Sequence, residues 1–406
     1  MYLENLQLTD FRSYAEVDFQ LGPGVTVLVG SNGIGKTNLM EAIGYLSTLS
    51  SHRVSSDAPL LRFGTERAMI RGTLVRGNRS LVLEVEINAG RANRARINRA
   101  NPVRARDVLG LCRTVLFAPE DLSLVKGDPS HRRRFLDELL VTLLPRHAAT
   151  CSDYERVLKQ RNALLKSARA SRSRGGFDET LDVWDQHLAQ TGAALLHARL
   201  QLVELLQPHV DTAYAALTDG SKIARLRYIS SIEPAAQGPS ESFSFPEHMD
   251  DDGTEVPSSG SETEQLSNKS VDELAAQYLA ALAASRRREL ERGLSLVGPH
   301  RDELEVLLGT APAKGYASHG ETWSMALALR LASYYVMLDD DMDPGAAPIL
   351  ILDDVFAELD VERRRKLAVI VAGAEQVLVT AAVDADIPPE LSGRRVKVIP
   401  GGIDEH

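Results

Sequence analysis

The sequence predicts an α/β protein with a parallel-centred mixed sheet, an antiparallel flank and an inserted helical lobe. Apolar, β-branched runs at Val25–Val29 and Pro348–Leu352 indicate buried strands in the two halves of the chain. Two alternating runs, Met69–Val75 and Leu81–Ile87, indicate an antiparallel hairpin with one wet face. Between residues 130 and 215 the apolar residues instead follow a helical period, which indicates that the α/β pattern is interrupted there.

Composition favours a soluble protein of two or three domains. The chain has 406 residues, of which 44% are apolar and 25% are charged. Its two cysteines, Cys112 and Cys151, lie in no Cys/His cluster, so we expect neither a disulfide framework nor a zinc site. A reducing, cytoplasmic location follows as an expectation. The first residues lack the features of a signal peptide, and no run of 18 apolar residues predicts a membrane span.

Residues 234–270 differ in composition from the rest of the chain. They are rich in Ser, Pro, Gly and acid, and they hold eight acidic residues against the single Lys269. Without this stretch the net charge falls from −10 to −3, so whole-chain acidity does not exclude a basic, nucleic-acid-binding face. Because so few apolar residues cannot offset the entropy of ordering, we expect a disordered insert, to which we assign no function.

The predicted strands of the first half follow in order along the chain. Alternating segments at Leu3–Leu8 and Val17–Leu21 indicate two strands. Gly22–Gly24 is expected to close a hairpin-like connection into the strand Val25–Val29, and another short strand lies at Thr114–Phe117.

The lobes are assigned from the change of period. We expect residues 1–118 and 295–406 to form one α/β lobe, and residues 119–294 to form a helical lobe that contains the acidic insert. Within the helical lobe, apolar residues share helix faces, and a helix is predicted from Val271 to about Gly293.

Residues 30–37 carry the most specific motif. They fit the phosphate-loop pattern G-x-x-x-x-G-K-[ST] at every fixed position, after a buried strand and before a helix. Such a loop cradles a polyphosphate with backbone N–H groups and a helix N-terminus. We expect ATP to be bound, with Lys36 on the β- and γ-phosphates and Thr37 on Mg²⁺. The expected nucleotide-binding residues are Gly30, Ser31, Asn32, Gly33, Ile34, Gly35, Lys36 and Thr37.

Two further elements could complete an ATPase site. The apolar strand of the second half ends at Asp353 and Asp354; the first acid is expected to hold Mg²⁺ and the second to orient the attacking water. An Asp pair that only caps a turn is the alternative. Ser318 and Gly320 begin a predicted long helix and could bind an anion, although a helix N-cap explains Ser318 equally well.

Two basic segments are candidates for nucleic-acid contact; for the first, a solvated loop or contact with a partner's acidic surface is the alternative. The first basic cluster lies beside the predicted hairpin and consists of Arg91, Arg94, Arg96, Arg99, Arg104 and Arg106. The second basic run lies in the helical lobe and consists of Arg156, Lys159, Arg161, Lys166, Arg169, Arg172 and Arg174.

Six motifs in this order resemble the RecF family of bacterial recombination-repair ATPases, and the likeness covers nearly the whole chain except the acidic insert. They are Phe11–Tyr14, Gly30–Thr37, Phe117–Asp121, Gly298–Asp302, Ala317–Glu321 and Asp353–Asp360.

The resemblance implies an ABC-type ATPase head related to SMC proteins. It also implies an ATP-dependent homodimer on single-stranded or duplex DNA and at gaps, recombinase loading with RecR and RecO, and a part in SOS induction. By position, Ser318 and Gly320 would close the partner's site, and Arg12 would lie near the nucleotide. Asp354 stands where most ABC ATPases have Glu, and no histidine follows at Thr380–Ala382, so we expect slow hydrolysis.

Other nucleotide-binding proteins share parts of this pattern. A transporter ATPase subunit would have a much shorter span between the phosphate loop and Ser318, and it would lack the basic helical lobe. A long-armed SMC protein would need hundreds of heptad residues, which are absent. A nucleotide-gated scaffold that never hydrolyses ATP stays open.

Overall fold

The structure, a computed structural model, describes residues 1–170, 178–233, 266–343 and 345–404. Residues 234–265 of the predicted insert, and Arg172 and Arg174 of the second basic run, lie outside the described residues. The strands are β1 (Tyr2–Phe11), β2 (Tyr14–Gln20), β3 (Gly24–Val29), β4 (Arg67–Arg76), β5 (Arg79–Asn88), β6 (Arg94–Ile97), β7 (Val103–Arg104), β8 (Thr114–Phe117), β9 (Ala224–Ile229), β10 (Glu303–Leu308), β11 (Ala311–Pro312), β12 (Ile349–Asp353), β13 (Gln376–Ala381), β14 (Arg394–Ile399) and β15 (Gly402–Asp404).

The described helices of five or more residues account for most of the middle of the chain. They are α1 (Lys36–Thr48), α2 (Leu122–Lys126), α3 (Pro129–Leu143), α4 (His147–Ala170), α5 (Asp178–Thr218), α6 (Val271–Arg292), α7 (His319–Asp340) and α8 (Val361–Val371). Among the described residues, no helix combines the length and apolar character that crossing a membrane requires.

A mixed sheet forms the centre of the fold. Its strand order is β15-β14-β3-β13-β12-β8; the neighbours from β14 to β8 are parallel, and β15 is antiparallel at the edge. Both faces are buried, as parallel sheets require. On β12, Ile349 and Ile351 pack towards α1 and the second sheet, whereas Leu350 and Leu352 pack towards the helices. The predicted parallel-centred core is therefore confirmed.

The second sheet is entirely antiparallel, with the order β2-β1-β4-β5-β6-β7. It contains the predicted hairpin as β4 and β5, and it packs over α1. This arrangement confirms the predicted antiparallel flank.

The hairpin-like connection predicted at Gly22–Gly24 is wrong. These residues carry the chain from β2 in the antiparallel sheet to β3 in the mixed sheet. The buried side chain of Gln376, at the start of β13, holds this crossing: its amide nitrogen donates to the carbonyls of Leu3 and Gly22, each at 2.8 Å. The amide group thus satisfies backbone atoms at the point where the two sheets meet.

A third, small sheet was not predicted. Strand β9 pairs antiparallel with β10, and β10 with β11. β9 lies in the predicted helical lobe and β10 in the predicted α/β lobe, so the pairing crosses the predicted boundary. The division at residues 118 and 295 stays a prediction.

The end of the predicted insert belongs to the folded structure. Leu266 is 1% exposed and lies in the core, and Ser270 is the N-cap of α6. The Ser270 hydroxyl accepts from the backbone N–H of Glu273, and the Glu273 carboxylate accepts from the backbone N–H of Ser270. The predicted disordered boundary at residue 270 is therefore wrong by at least five residues.

The second basic run is not a uniform charged surface, because Arg161 is fully buried in the helical region. Its guanidinium donates to Asp185 and Glu289, each at 2.6 Å, and to the hydroxyl of Ser295 at 2.7 Å. Arg161 therefore joins α4, α5 and α6, and it is inaccessible to DNA.

Replacing Arg161 should destabilise the protein strongly. Arg161→Leu leaves the buried carboxylates of Asp185 and Glu289 without this cation, and breaking a buried pair costs about 3–5 kcal/mol. Urea unfolding measures the decrease in stability. Arg156→Leu is the matched control, since its pair with Asp153 is exposed and should contribute less than about 1 kcal/mol. Equal decreases in the two variants would contradict the structural role of Arg161.

Candidate nucleotide-binding site

The predicted phosphate loop connects β3 to α1. The Lys36 ammonium group lies across the loop and donates to the carbonyls of Gly30 at 2.8 Å and Ser31 at 3.3 Å. Gly35, the N-cap of α1, has φ 120°, and a Cβ on it would lie 2.6 Å from the Tyr14 hydroxyl, so only glycine fits. The loop thus presents a lysine and a helix N-terminus at the end of a buried strand.

The two halves of the predicted site meet at the carboxyl ends of neighbouring strands. β13 lies between β3 and β12, and all three are parallel. Thr37, at the start of α1, donates a hydrogen bond of 3.2 Å to the Asp353 carboxylate at the end of β12. The structure therefore brings together residues that are 316 positions apart in the chain.

Asp353 is a buried acid that hydroxyl groups hold in place. Burial raises its pKa to about 6, and the charge of Asp354 acts in the same direction, whereas hydrogen bonds from Thr380 and Thr37 lower it. Those two hydroxyls bring no positive charge to the carboxylate. A buried carboxylate beside a threonine hydroxyl is a donor set that fits Mg²⁺, which would supply the missing charge.

Asp354 follows directly and has an unusual backbone. Its φ is 51°, in the left-handed region, and its N–H donates to the Thr380 hydroxyl at 2.8 Å. The side chain is half-buried, so it is more open to solvent than that of Asp353. Sequence reasoning noted that no histidine follows β13, but it gave Thr380 no role. The parallel pairing of the two strands is the signal that could have found it.

Arg12 is held by a buried acid of α1. Its guanidinium donates to both carboxylate oxygens of Glu41, at 2.7 and 2.6 Å, and to the carbonyl of Pro59 at 2.9 Å. Burial would raise the pKa of Glu41, but hydrogen bonds from Arg12 and Ser51 hold it below its ordinary value. Sequence reasoning missed Glu41. The structure places Arg12 against α1, and its contact with nucleotide stays a prediction.

Ser318 forms a capping box at the start of α7. Its hydroxyl accepts from the Glu321 N–H at 3.2 Å, and the Glu321 carboxylate accepts from the Ser318 N–H at 2.8 Å. Hydrogen bonds from Lys222 and from the Ser318 backbone lower the pKa of Glu321 to about 2. A Cβ on Gly320 would lie 2.8 Å from the Arg363 guanidinium, which therefore packs against the helix start. The capping role is observed, and anion binding stays a prediction.

The first basic cluster is not a loop throughout, because Arg94–Ile97 forms β6 and residues 103–104 form β7. On one face of the sheet, Arg71, Glu84 and Arg96 are direct cross-strand neighbours. The buried Glu84 pairs with Arg71, and Arg96 approaches it to 3.9 Å. The cluster is thus partly neutralised at Arg96, which is exposed like Arg91, Arg94 and Arg99.

Comparison with known proteins places the chain in a family. The family profile described as the RecF/RecN/SMC N terminal domain matches residues 2–387. A DNA replication and repair protein RecF from Paenarthrobacter aurescens (strain TC1) is 73% identical over 406 residues, which are 100% of this chain and 99% of that protein. The chain belongs to the RecF family. A RecF protein from Streptomyces avermitilis is 54% identical over 407 residues, with 100% of each chain covered.

Solved structures extend the likeness to the fold. The structure described as "the recombination mediator protein RecF-ATP in RecFOR pathway" has a TM-score of 0.83 at 24% identity, covering 100% of this chain and 97% of that one. An Smc head domain from Pyrococcus furiosus has a TM-score of 0.50 at 15% identity, covering 99% and 95%. The RecF-family chain therefore has the ABC-type head fold that its motifs predicted.

Proposed function

We propose that the protein is an ATP-dependent DNA-binding ATPase of recombinational DNA repair and replication. The observation that carries the proposal is the hydrogen bond from Thr37 to Asp353, which joins the phosphate loop to the acidic strand end. Relatives over the full chain length are named DNA replication and repair protein RecF. A nucleotide between these elements would meet a lysine, a helix N-terminus and two carboxylates, which are the parts that phosphoryl transfer uses.

Each residue of the site has a role in this proposal. Lys36 would exchange the carbonyls of Gly30 and Ser31 for the β- and γ-phosphates. Thr37 and Asp353 would hold Mg²⁺, which neutralises phosphate charge when bound. Asp354 would orient the attacking water. The Asp354 side chain is one methylene shorter than that of glutamate, so ATP hydrolysis would be slow. Hydrolysis would then set how long an ATP-bound dimer persists.

The dimer is the second part of the proposal. Ser318 and Gly320 would close the ATP site of a second copy, because the start of α7 offers N–H groups and a positive helix end to a γ-phosphate. A nucleotide that contacts both copies binds the paired state more tightly than it binds a single copy, so it shifts the equilibrium towards the homodimer.

The third part concerns DNA and partners. We propose sequence-independent binding of single-stranded and duplex DNA and of gaps through exposed arginines, because no module for reading base edges was recognised in the sequence. Recombinase loading with RecR and RecO, a part in SOS induction and a cytoplasmic location are proposed from family membership. A solved relative is described within the RecFOR pathway, which supports the choice of partners.

Two variants test the ATPase proposal. Lys36→Ala should weaken ATP binding by about tenfold to a hundredfold, because hydrogen bonds to charged groups contribute about 1.5–3 kcal/mol. Asp354→Asn should bind ATP normally and lose turnover by about 10²- to 10⁴-fold, as expected when a general base is removed. Equilibrium binding and single-turnover phosphate release measure the two effects. Wild-type phosphate release from Asp354→Asn would refute its role, and no release from the wild type would favour a non-hydrolysing scaffold.

The dimer proposal is tested with two matched cap variants. Ser318→Arg should bind ATP but stay monomeric in light scattering. The larger, charged arginine side chain blocks the contact between the start of α7 and the ATP of the second copy. Ser270→Arg disrupts a capping box of nearly the same geometry on α6, so it controls for removal of the cap. It should dimerise with ATP like the wild type. ATP-dependent dimers of Ser318→Arg at wild-type nucleotide concentration would exclude the proposed contact.

The DNA proposal predicts that the affinity for DNA falls as the salt concentration rises. The triple variant Arg91→Ala, Arg94→Ala and Arg99→Ala should bind all sequences more weakly. Its log–log salt slope should be flatter by about 0.9 for each phosphate that the variant no longer neutralises. Gel shifts over a series of salt concentrations measure the slope. ATP binding by the variant should be unchanged.

Two controls sharpen this DNA experiment. A triple alanine variant of Arg287, Arg288 and Arg292 removes the same charge from α6 and should retain most DNA binding. Arg96→Ala alone should have a small effect, since Arg96 shares Glu84 with Arg71. Equal decreases in affinity for the two triple variants would mean that only total charge matters and that the first basic cluster is a solvated surface.

A further inference from the structure

Thr380 occupies a central position between the two acids of the candidate site. It lies on β13 directly opposite Asp353 in the parallel pairing with β12, and it is 1% exposed. Its hydroxyl oxygen is 2.6 Å from Asp353 Oδ1, 2.8 Å from the Asp354 backbone nitrogen and 3.3 Å from Asp354 Oδ1. One buried hydroxyl thus contacts both acids.

The protons of these contacts can be assigned. The Asp354 N–H can only donate, so the Thr380 oxygen accepts that bond. The hydroxyl has a single proton, and the nearer acceptor is Asp353 Oδ1. Rotation about the Cβ–Oγ1 bond would direct the same proton to Asp354 Oδ1 instead. The Thr380 hydroxyl therefore holds Asp353 by its carboxylate and Asp354 by its backbone N–H.

The backbone bond matters because of the conformation of Asp354. A positive φ is uncommon for any residue other than glycine, and it persists only where surrounding contacts hold it. The bond to Thr380 is such a contact, at the residue that would orient water. The two threonines that flank Asp353 come from different elements, Thr37 from α1 and Thr380 from β13. Both hydroxyls donate to the same oxygen of Asp353, Oδ1.

We propose that Thr380 is a positioning residue that sets the Asp353 carboxylate for the metal and the Asp354 carboxylate for the attacking water. The inference rests on the proposed ATPase function and adds a residue to it. A hydroxyl is required, since an apolar side chain of the same shape would leave the Asp354 N–H unpaired and remove a bond from Asp353. Serine supplies the same oxygen, so it should support the role.

The test uses the full chain with three single variants: Thr380→Val, Thr380→Ser and Thr26→Val. Valine keeps the volume and branching of threonine, so packing changes little. Thr26 is a matched control, because it is also buried and lies on β3, the other neighbour of β13. Thermal unfolding shows whether each variant is folded.

The first measurement is the Mg²⁺ dependence of nucleotide binding, with a fluorescent, non-hydrolysable ATP analogue and no turnover. Thr380→Val should raise the half-saturating Mg²⁺ concentration about 10- to 100-fold, the usual effect of removing a partner of a metal ligand. Binding of the analogue in EDTA should be unchanged, because the phosphate contacts of the loop are intact. Thr380→Ser and Thr26→Val should match the wild type in both conditions.

The second measurement is single-turnover phosphate release at saturating Mg²⁺. Thr380→Val should still be slower than the wild type, because the Asp354 N–H has no hydroxyl to bind, and Thr380→Ser should restore the rate. In the Asp354→Asn background, Thr380→Val should add little, since the step that it supports is already abolished.

The outcomes separate this inference from the proposed function. If the wild type and Thr380→Val share the same Mg²⁺ dependence and the same rate, while Asp354→Asn is inactive, the ATPase function stands and the role of Thr380 is refuted. If Thr380→Val loses EDTA-stable binding and melts early, or if Thr380→Ser fails to rescue, Thr380 acts only in packing and the inference is also refuted. A wild type that neither binds nor hydrolyses ATP removes both proposals.

Discussion

The candidate site depends on the backbone pairing of three parallel strands. β3 and β12 are more than 300 residues apart in the chain, and each pairs with β13. Their pairing aligns Val29 with Ala381 and Asp353 with Thr380, so the phosphate loop and both acids leave the sheet at the same edge. Ligand sites of open α/β sheets lie outside the carboxyl ends of their strands. The roles proposed for Lys36, Thr37, Asp353 and Asp354 presuppose this alignment.

The same pairing creates an electrostatic cost at Asp353. Because the sheet is buried on both faces, its strands are shielded from water, and Asp353 at the end of β12 is buried as well. Burial raises the pKa of Asp353, and the neighbouring acid raises it further. The hydroxyls of Thr37 and Thr380 donate hydrogen bonds to this carboxylate. Among the described residues, no cationic side chain forms an ion pair with it. Some other buried acids are paired with arginine, as with Arg12 on Glu41 and Arg161 on Glu289, whereas the buried Asp302 accepts from the hydroxyls of Tyr228, Ser230 and Ser231.

The sequence predicted the elements that have a local signature. A motif indicated the phosphate loop. Runs of apolar or alternating residues indicated the strand before Asp353 and the hairpin of β4 and β5. Pairing between distant segments has no such signature. Residues 22–24 contain two glycines and a proline, which favour a tight turn, yet the turn changes sheets. β9 alternates Ala224, Leu226 and Tyr228 with arginines, but its partner β10 lies about 75 residues further along the chain. Arg161 looked like surface charge, because only the packing of three helices shows that it is buried.

The contacts around Glu41 connect the nucleotide site to the helical region. Glu41 lies on α1 and accepts from Ser51, whose carbonyl accepts from Arg134 of α3 at 2.7 Å. Arg134 also donates to Glu138 on the same helix. Glu41 thus joins α1 to Arg12, which follows β1 of the antiparallel sheet, and Ser51 extends the connection to Arg134 of α3. Since α1 begins at the phosphate loop, any shift of this helix on nucleotide binding must either carry α3 with it or break these bonds. The buried Glu41 carboxylate keeps Arg12 and Ser51 attached to α1, because separating it from them leaves a charge without compensation. A shift of α1 away from α3 would therefore break the bond from Arg134 to the Ser51 carbonyl and leave the pair of Arg12 and Glu41 intact.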